Sequence, residues 1–275
     1  MRLVVWVGVA VVLLMLLRAA VVAVEPKLAF YPLRGIQETP RDLGIPYEQV
    51  ALVTDDGERV YGWWLPQERA RADVIFWHGN GGNLSLWLDV VAGVHQRGFA
   101  VFAAEYRGYG NCSGRPTEQG IYRDADATLD DFWNRRRSAG RPTIYWGRSL
   151  GSVVAAYAAS KKAPDALVLE SPFPSKMSLL MHYPVMAVFG MFSAYRFPTG
   201  RFLQNFDRPI LVVHGRRDTI IPFAQGRKLF EALTGPKEML VLDGANHNDL
   251  HVADPAAYWA GIERFVERLQ AARRE

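Results

Sequence analysis

The stretch TIYWGRSLGSVVAAYAA, residues 143–159, joins an apolar run typical of a buried strand to an alanine-rich run typical of a helix. Between the two runs stands Gly147-Arg148-Ser149-Leu150-Gly151, which matches the G-x-S-x-G pattern of a nucleophile elbow. The glycines are needed because the turn is so tight that a side chain at either position would collide with the neighbouring strand or helix. We therefore predict that Ser149 is a nucleophile. The alternative is a serine that caps a helix after a structural turn.

Outward from this stretch, strand-like and helix-like segments alternate along the chain. The further strand-like runs are DVIFWHG (73–79), FAVFAAEYRG (99–108), ALVLESP (166–172), PILVVHG (209–215) and EMLVLDG (238–244). Short continuous apolar strands separated by helices predict an α/β fold with a mostly parallel sheet and helices on both faces. Before them, QVALVTDDGERVYGWWLP (49–66) predicts a β-hairpin around an Asp-Asp-Gly turn. Functional residues are expected at the carboxyl edge of such a sheet.

A serine hydroxyl needs a histidine to accept its proton before it can act as a nucleophile. His247 is the preferred base, because it lies in the Gly- and Asn-rich loop LDGANHNDL directly after a predicted strand. His251, one turn further on, is the main competitor. His78 and His214 each precede a glycine at a strand end and are interpreted as loop-shaping, although either stays open as the base. The remaining histidines, His95 and His182, are interpreted as structural.

The histidine in turn needs a carboxylate that orients it. Asp218 follows a buried strand in VVHGRRDTIIP, and Glu170 at the end of ALVLE is the alternative. We prefer Asp218 because the chain order Ser149, Asp218, His247 is the order found in α/β-hydrolases.

An oxyanion hole requires backbone N–H donors that are already in place, each worth roughly 3 kcal/mol. We expect one donor from Leu150, directly after the nucleophile, and the other from Asn80 in the loop HGNGGN (78–83). A dinucleotide-binding interpretation of this loop, with Glu105 on the ribose, fails because Leu84 stands where the third glycine is needed.

Other charged groups point to no cofactor, metal or nucleic acid. The acidic cluster Asp124, Asp126, Asp130 and Asp131 has no liganding glycine loop and is interpreted as a solvated helix face. The formal net charge is +4, but the basic residues are scattered, and the run Arg135 to Arg137 is interpreted as another solvated face. The single cysteine, Cys112, excludes an internal disulfide.

The N-terminus carries the uncharged run LVVWVGVAVVLLMLL (3–17) between Arg2 and Arg18. Continued through Val24, this run is long enough to span a bilayer. We expect residues 1–24 to be an uncleaved single-pass membrane anchor outside the core and residues 25–275 to form one domain. The alternative is a signal peptide cleaved after Val21-Val22-Ala23, which would leave a secreted or periplasmic protein.

The motifs FYP, DDGERVYGWWLP, HGNGGN, EYRGYGNCSGRPTE, GRSLGS, HGRRDTIIP and GANHND together resemble one branch of the α/β-hydrolase superfamily. That branch comprises small serine hydrolases with an N-terminal membrane anchor, including eukaryotic protein depalmitoylases and bacterial relatives. The resemblance covers about residues 28–270. It implies an α/β-hydrolase fold, Ser149 with Asp218 and His247 as catalytic partners, and the HGNGG loop in the oxyanion hole. Since no N-terminal cysteine cluster is present, membrane attachment would rest on the apolar helix alone.

Substrate selection is expected from residues 174–208, a short irregular section predicted to roof the pocket as a lid. Its methionines and phenylalanines suit an acyl chain, although they could equally pack against the domain; they are Met177, Met181, Met186, Met191, Phe189, Phe192, Phe197, Phe202 and Phe206. We expect a carboxylic ester or thioester of a small-molecule or acylated substrate to be hydrolysed through an acyl-Ser149 intermediate. The alternatives are a peptidase, for which no acidic pocket is evident, and a noncatalytic membrane-tethered binding module.

Overall fold

The apolar runs of the sequence form the strands of a central sheet in a computed structural model that describes residues 2–135 and 140–273. The strands are β1 (Tyr31–Pro32), β2 (Glu48–Val53), β3 (Arg59–Leu65), β4 (Asp73–Trp77), β5 (Gly81–Gly82), β6 (Ala100–Ala104), β7 (Thr143–Arg148), β8 (Ala166–Glu170), β9 (Ile210–Gly215) and β10 (Lys237–Leu242). The α-helices are α1 (Arg2–Ala29), α2 (Leu88–Gln96), α3 (Glu118–Arg135), α4 (Leu150–Lys161), α5 (Lys176–Leu180), α6 (Pro184–Gly190), α7 (Thr199–Phe202), α8 (Phe223–Ala232), α9 (Leu250–Ala253) and α10 (Pro255–Ala272).

The main sheet has the strand order β10-β9-β8-β7-β4-β6-β3-β2. From β10 across to β6 neighbouring strands are parallel, whereas β3 runs antiparallel to β6 and pairs with β2 in a hairpin. The predictions of a mostly parallel sheet and of a hairpin over residues 49–66 are therefore confirmed. In this arrangement β7, which leads to Ser149, lies near the centre of the sheet.

Each face of the sheet is covered by helices, which explains why the central strands are apolar throughout. Along β4 the side chains alternate: Ile75 and Trp77 join the apolar cluster formed with α3 and α4, and Val74 and Phe76 join the cluster formed with α2 and α10. Burial on both faces fixes the register of these strands, since a slip by one residue would exchange the two sets of side chains.

The acidic cluster on α3 is not a solvated face as a whole, and that prediction is wrong for Asp124. Asp124 is 1% exposed and accepts hydrogen bonds from the backbone N and Nε of Arg107, at 2.9 and 2.8 Å. The reason is that Arg107 lies buried just after β6 and needs a carboxylate partner. Asp130 is exposed as predicted. Arg135 pairs with Glu48, and Arg136 and Arg137 lie outside the described residues.

Helix α1 extends five residues beyond the predicted anchor boundary, to Ala29. Its segment Val4–Ala29 is long and apolar enough to cross a membrane by length and composition, with a mean hydropathy of 2.7 and its most apolar window entirely unburied. Among its described side chains, Ala29 at the C-terminal end packs against the core cluster formed with α3 and α4. Its C-terminal part contacts the rest of the protein through Glu25, which is bonded to Lys176, and through the carbonyl of Ala29, which accepts a hydrogen bond from Asn80.

The section predicted to be an irregular lid contains the short helices α5, α6 and α7. Its phenylalanines have separate roles: Phe202 makes edge contacts with Tyr122 and Tyr157, and Phe206 is buried in the core. By contrast, Met181 and Met191 are 66% and 62% exposed. The side chains of Pro184, Val185 and Phe189 lie outside the described ones.

Candidate active site

The turn between β7 and α4 holds Ser149 in a backbone conformation that serine rarely adopts. Its φ is 54° and its ψ is −114°, a strained combination that costs on the order of 1–3 kcal/mol. A Cβ on Gly147 would lie 2.1 Å from the carbonyl oxygen of Gly151, and a Cβ on Gly151 would lie 2.0 Å from that of Trp77. Both motif glycines are thus required by backbone close approach, and the turn lifts the serine side chain out at the edge of the sheet.

Three side chains predicted from the sequence meet at this edge. The Oγ of Ser149 lies 3.1 Å from Nε2 of His247, whose Nδ1 lies 2.7 Å from Oδ2 of Asp218. Ser149 follows β7, Asp218 follows β9 and His247 follows β10, so the ends of three strands on the same side of the sheet each supply one group, with β8 lying between β7 and β9. The residues are 7%, 6% and 6% exposed, which limits the competition of water for these hydrogen bonds. The arrangement is chemically capable of moving a proton from the hydroxyl to the imidazole.

Asp218 is held as an ionised carboxylate by its surroundings. Its Oδ1 accepts hydrogen bonds from the N–H groups of Ile220 and Ile221 at 2.9 and 2.7 Å, and its Oδ2 accepts one from the hydroxyl of Ser171 at 2.8 Å. Burial by itself would raise the pKa of Asp218, but the hydrogen bonds from His214 and His247 and the backbone donors outweigh it and hold the pKa well below its usual range.

The alternative bases and the alternative carboxylate have other partners. His78 Nε2 lies 2.6 Å from Glu105, His251 Nε2 lies 2.7 Å from Asp89, and His214 Nε2 bonds the carbonyl of Ile221. Glu170 accepts hydrogen bonds from Trp146 and Tyr258. His95 contacts the carbonyl of Phe99, and His182 packs against Tyr183. The structure therefore brings none of these side chains to Ser149 in place of His247 and Asp218.

The loop HGNGGN lies beside Ser149 and is fixed from several sides. The carbonyl of Asn80 accepts hydrogen bonds from the N–H of Tyr31 at 2.9 Å and from the hydroxyl of Tyr109 at 2.7 Å. Within the described ranges, no acceptor takes the N–H of Asn80 or that of Leu150, and both residues line the same cavity as Ser149. Two backbone donors of the predicted kind are thus available near the hydroxyl.

Glu105 explains why the dinucleotide interpretation of this loop has no support. Its carboxylate contacts His78 Nε2 and accepts a hydrogen bond from the N–H of Leu84 at 2.8 Å. The group that would bind a ribose instead holds the loop in shape. In residues 2–135 and 140–273, no group of three or more His, Cys, Asp or Glu side chains is arranged to hold a metal ion.

Arg148 is a site residue that the sequence analysis missed. It is fully buried, donates from Nη2 to the carbonyl of His247 at 2.9 Å, and places its guanidinium 4.9 Å from the ring centre of Trp87. It therefore ties the loop that carries His247 to the end of β7. The sequence did contain one indication of this role, because a charged residue in the middle of an apolar, buried motif needs a specific partner.

A cavity of about 620 Å³ opens at Ser149. Section 174–208, for which a lid is predicted, supplies part of the cavity wall, including Leu179, Met186 and Phe197. The other wall is α1, which the sequence analysis did not connect with the site; the residues involved are Leu17, Ala20, Val21, Val24, Glu25, Leu28 and Ala29. Apolar side chains dominate the cavity, which suits an apolar group of a substrate.

Comparison with known proteins gives several consistent matches. The model of the serine aminopeptidase S33 family matches residues 68–207. An uncharacterized protein of Mycobacterium tuberculosis is 31% identical over 247 residues, which are 88% of this chain and 87% of that protein. An uncharacterized membrane protein of Saccharomyces cerevisiae is 29% identical over 240 residues, 85% and 84% of the two chains.

The human alpha/beta hydrolase domain-containing protein 17B is 30% identical over 200 residues, 72% of this chain and 67% of its own. Among solved structures, the esterase Pf2001 of Pyrococcus furiosus superposes with a TM-score of 0.73, at 22% identity, over 88% of this chain and 97% of its own. An esterase from Exiguobacterium antarcticum superposes with a TM-score of 0.61, at 14% identity, over 80% of this chain and 100% of its own. At these identities the structural matches establish the fold.

Proposed function

Since the chain belongs to the serine aminopeptidase S33 family of α/β-hydrolases, and is a hydrolase on that ground, we propose that it cleaves carboxylic esters or thioesters through an acyl-Ser149 intermediate. The observation that supports the proposal most strongly is the series of hydrogen bonds from Ser149 to His247 and from His247 to Asp218, with Ser149 lining an apolar cavity. A hydroxyl, an imidazole and a carboxylate in this order are the components of acyl transfer by serine.

In the first half of the reaction, Ser149 Oγ attacks the substrate carbonyl carbon while His247 Nε2 takes the hydroxyl proton. The N–H groups of Asn80 and Leu150 stabilise the negative charge that develops on the carbonyl oxygen. The tetrahedral intermediate then collapses, the bond to the leaving alcohol or thiol breaks, and His247 returns the proton to that group. Asp218 keeps the imidazole oriented and stabilises its positive charge throughout.

In the second half, a water molecule takes the place of the leaving group. His247 accepts a proton from it, its oxygen attacks the acyl carbon, and the bond to Ser149 Oγ breaks as Oγ regains a proton from His247. The products are a carboxylic acid and the free enzyme. None of these steps requires a cofactor.

The family description makes a serine peptidase the second candidate. An aminopeptidase binds the free amino group of a peptide, for which a carboxylate is the natural partner. Among the described residues that line the cavity, Glu25 is the acidic side chain, and it is already bonded to Lys176 and Ser193. Esters and thioesters with an apolar acyl group fit this lining better.

We also propose that α1 anchors the protein in a membrane as a single span, which would leave the catalytic domain at the membrane surface. The length and hydropathy of Val4–Ala29 support this, as does the name of the yeast relative as a membrane protein. A cleaved signal sequence near the N-terminus would meet the same criteria of length and hydropathy. The intact mass of the protein purified from cells separates the two: retention of residues 1–24 supports the anchor, and their loss contradicts it.

Labelling with a fluorophosphonate probe tests the enzymatic proposal, since such probes react with activated serines. We expect the wild type and the Ser160→Ala control, whose substitution lies on the exposed side of α4, to be labelled equally. Ser149→Ala should not be labelled and should lose hydrolysis of p-nitrophenyl esters. A folded wild type that takes up no label at Ser149 would instead support the noncatalytic binding module. Faster turnover of aminoacyl p-nitroanilides than of esters would favour the peptidase.

A further inference from the structure

The geometry points to a role for α1 beyond anchoring: we propose that it is one wall of the acyl-binding site. The long acyl chain of a membrane-resident ester or thioester would lie along α1, with its carbonyl at Ser149 and its far end toward Leu17. This inference rests on the proposed function, because it concerns the substrate of the same site. It makes residues of the apolar N-terminal helix determinants of chain-length specificity.

The C-terminal end of α1 is joined directly to the loop that carries one oxyanion donor. The side-chain Nδ2 of Asn80 donates to the carbonyl of Ala29 at 3.2 Å, and the N–H of Tyr31 donates to the carbonyl of Asn80 at 2.9 Å. Immediately after the helix, β1 pairs with β5, which consists of two glycines of the same loop. The end of the helix therefore has a fixed position beside Ser149.

A second attachment holds α1 to the lid. Glu25 is 3% exposed, and its carboxylate accepts hydrogen bonds from Lys176, from the hydroxyl of Ser193 and from the N–H of Ala194 at 2.9 Å. A buried carboxylate is tolerated only with such a full set of partners, so it fixes the rotation of the helix about its axis. We call Glu25, Lys176 and Ser193 the helix–lid cluster.

With this rotation, one apolar face of α1 looks into the cavity. Leu17, Ala20, Val21, Val24 and Leu28 recur at intervals of three and four residues and line the cavity together. From Leu17 to Ala29 the helix axis advances about 18 Å, at 1.5 Å per residue. The cavity thus follows the helix away from Ser149 for a distance suited to a long acyl chain.

The far end of this face lies in the part of α1 that would be inside the bilayer. The candidate span of 26 residues is about 39 Å long, whereas the hydrocarbon core is about 30 Å thick. Beside it, the lid exposes the apolar side chains of Met181, Met186, Val188 and Met191. An exposed apolar patch next to a membrane span suits contact with lipid, which would let an acyl chain pass from the bilayer into the cavity without crossing water.

Two neighbouring alanines on α1 allow a matched test in the full-length protein in phospholipid vesicles. Ala20 lines the cavity, and Ala19 is exposed and does not. We expect Ala20→Trp to lower the ratio of kcat/KM for p-nitrophenyl palmitate to that for the acetate by about tenfold or more, because the indole fills the acyl site. Ala19→Trp should keep the wild-type ratio. Equal ratios in the two variants would overturn the inference.

Further measurements distinguish a failure of this inference from a failure of the proposed function, and they identify which kind of acylated molecule is cleaved. If wild type neither takes up a fluorophosphonate nor hydrolyses the acetate, the proposed function itself fails. If all variants are labelled at Ser149 and cleave the acetate, the proposed function holds, and the palmitate-to-acetate ratios of the two variants decide the role of α1 by themselves. A palmitoyl glycerol ester and an S-palmitoylated membrane peptide distinguish the two sources. A slower reaction of Ala20→Trp on whichever is cleaved supports the inference, and wild-type cleavage of neither overturns it.

Discussion

At the scale of single residues, the carboxylate of Asp218 is the group whose removal tests the proposed chemistry most directly. Its bond to Nδ1 of His247 fixes the imidazole with Nε2 toward Ser149. We predict that Asp218→Asn lowers kcat by about four orders of magnitude, because the amide favours the wrong tautomer of His247. Asp243→Asn is the matched control, since Asp243 is 81% exposed. Ester hydrolysis in detergent measures both, and a loss of less than about tenfold in Asp218→Asn would contradict the assignment.

Asp218 also predicts how stability depends on pH. Because its pKa in the folded protein is lower than in the unfolded chain, the unfolded chain binds a proton first as the pH falls. The stabilisation due to this ionised carboxylate is therefore complete above the ordinary aspartate range, near pH 4, and is lost as the pH falls further toward the folded pKa. We expect the difference in free energy of unfolding between wild type and Asp218→Asn to be constant from pH 7 to about pH 5 and to change only in more acidic solution. A change centred near neutral pH would contradict this.

Arg148 predicts a combined loss of stability and activity. It lies 3.7 Å from Glu170 with both side chains fully buried, and it donates to the carbonyl of His247. We predict that Arg148→Ala costs about 3–5 kcal/mol, because an uncompensated carboxylate remains in the core. Hydrolysis by the protein that remains folded should also be slower, since the loop of His247 loses a contact.

Arg208→Ala is the control. At this surface position, which is 46% exposed, the substitution should change the unfolding free energy by less than about 0.5 kcal/mol. Equal thermal unfolding of the two variants would contradict the prediction.

At the scale of elements, the sequence was sufficient to predict the strands and turns that neighbouring residues determine. The apolar run TIYW predicts a strand and the glycines around Ser149 predict a sharp turn, and the structure has both. The positions of Asp218 and His247 followed from strand ends, and the structure brings their side chains together. The partners of buried charges could not be predicted this way. Asp124 meets Arg107 from another segment, and the contact between Glu25 and Lys176 depends on how two distant elements pack.

The helix–lid cluster predicts how firmly the lid is held. Glu25→Ala would leave the ammonium group of Lys176 and the N–H of Ala194 without their carboxylate, at a cost comparable to breaking a partly buried ion pair. We predict faster tryptic cleavage within residues 174–208, at Arg196 or Arg201, by about tenfold. Lys27→Ala, an exposed change on the same helix, should be cleaved like wild type. Identical cleavage rates for Glu25→Ala and Lys27→Ala would show that Glu25 does not hold the lid.

At the scale of the whole molecule, the apolar helix α1 is continuous with the α/β-hydrolase domain and bonded to it. Helix α1 runs unbroken from Arg2 to Ala29 and is attached at its end to the HGNGGN loop and to the lid. The sequence suggested a division at residue 24, because hydropathy changes there. Hydropathy reports where a helix prefers lipid but not whether its last turns also pack against a protein. The helix thus extends across the predicted boundary, from residues 1–24 into residues 25–275.

If α1 spans a membrane as proposed, this continuity couples the thickness of the bilayer to the wall of the cavity. A span longer than the hydrocarbon core accommodates the mismatch by tilting, and the required tilt decreases as the bilayer thickens. Since one end of α1 is bonded to the domain, a tilt must either rotate the domain or shift the cavity wall. We predict that the ratio of palmitate to acetate hydrolysis changes across vesicles made from phosphatidylcholines of increasing acyl length. The ratio should stay constant when the same lipids are instead dissolved in a single detergent. A ratio that is the same in all vesicles would contradict the coupling; a ratio that varies would mean that the enzyme senses hydrophobic mismatch and that membranes of different thickness set different substrate preferences for one sequence.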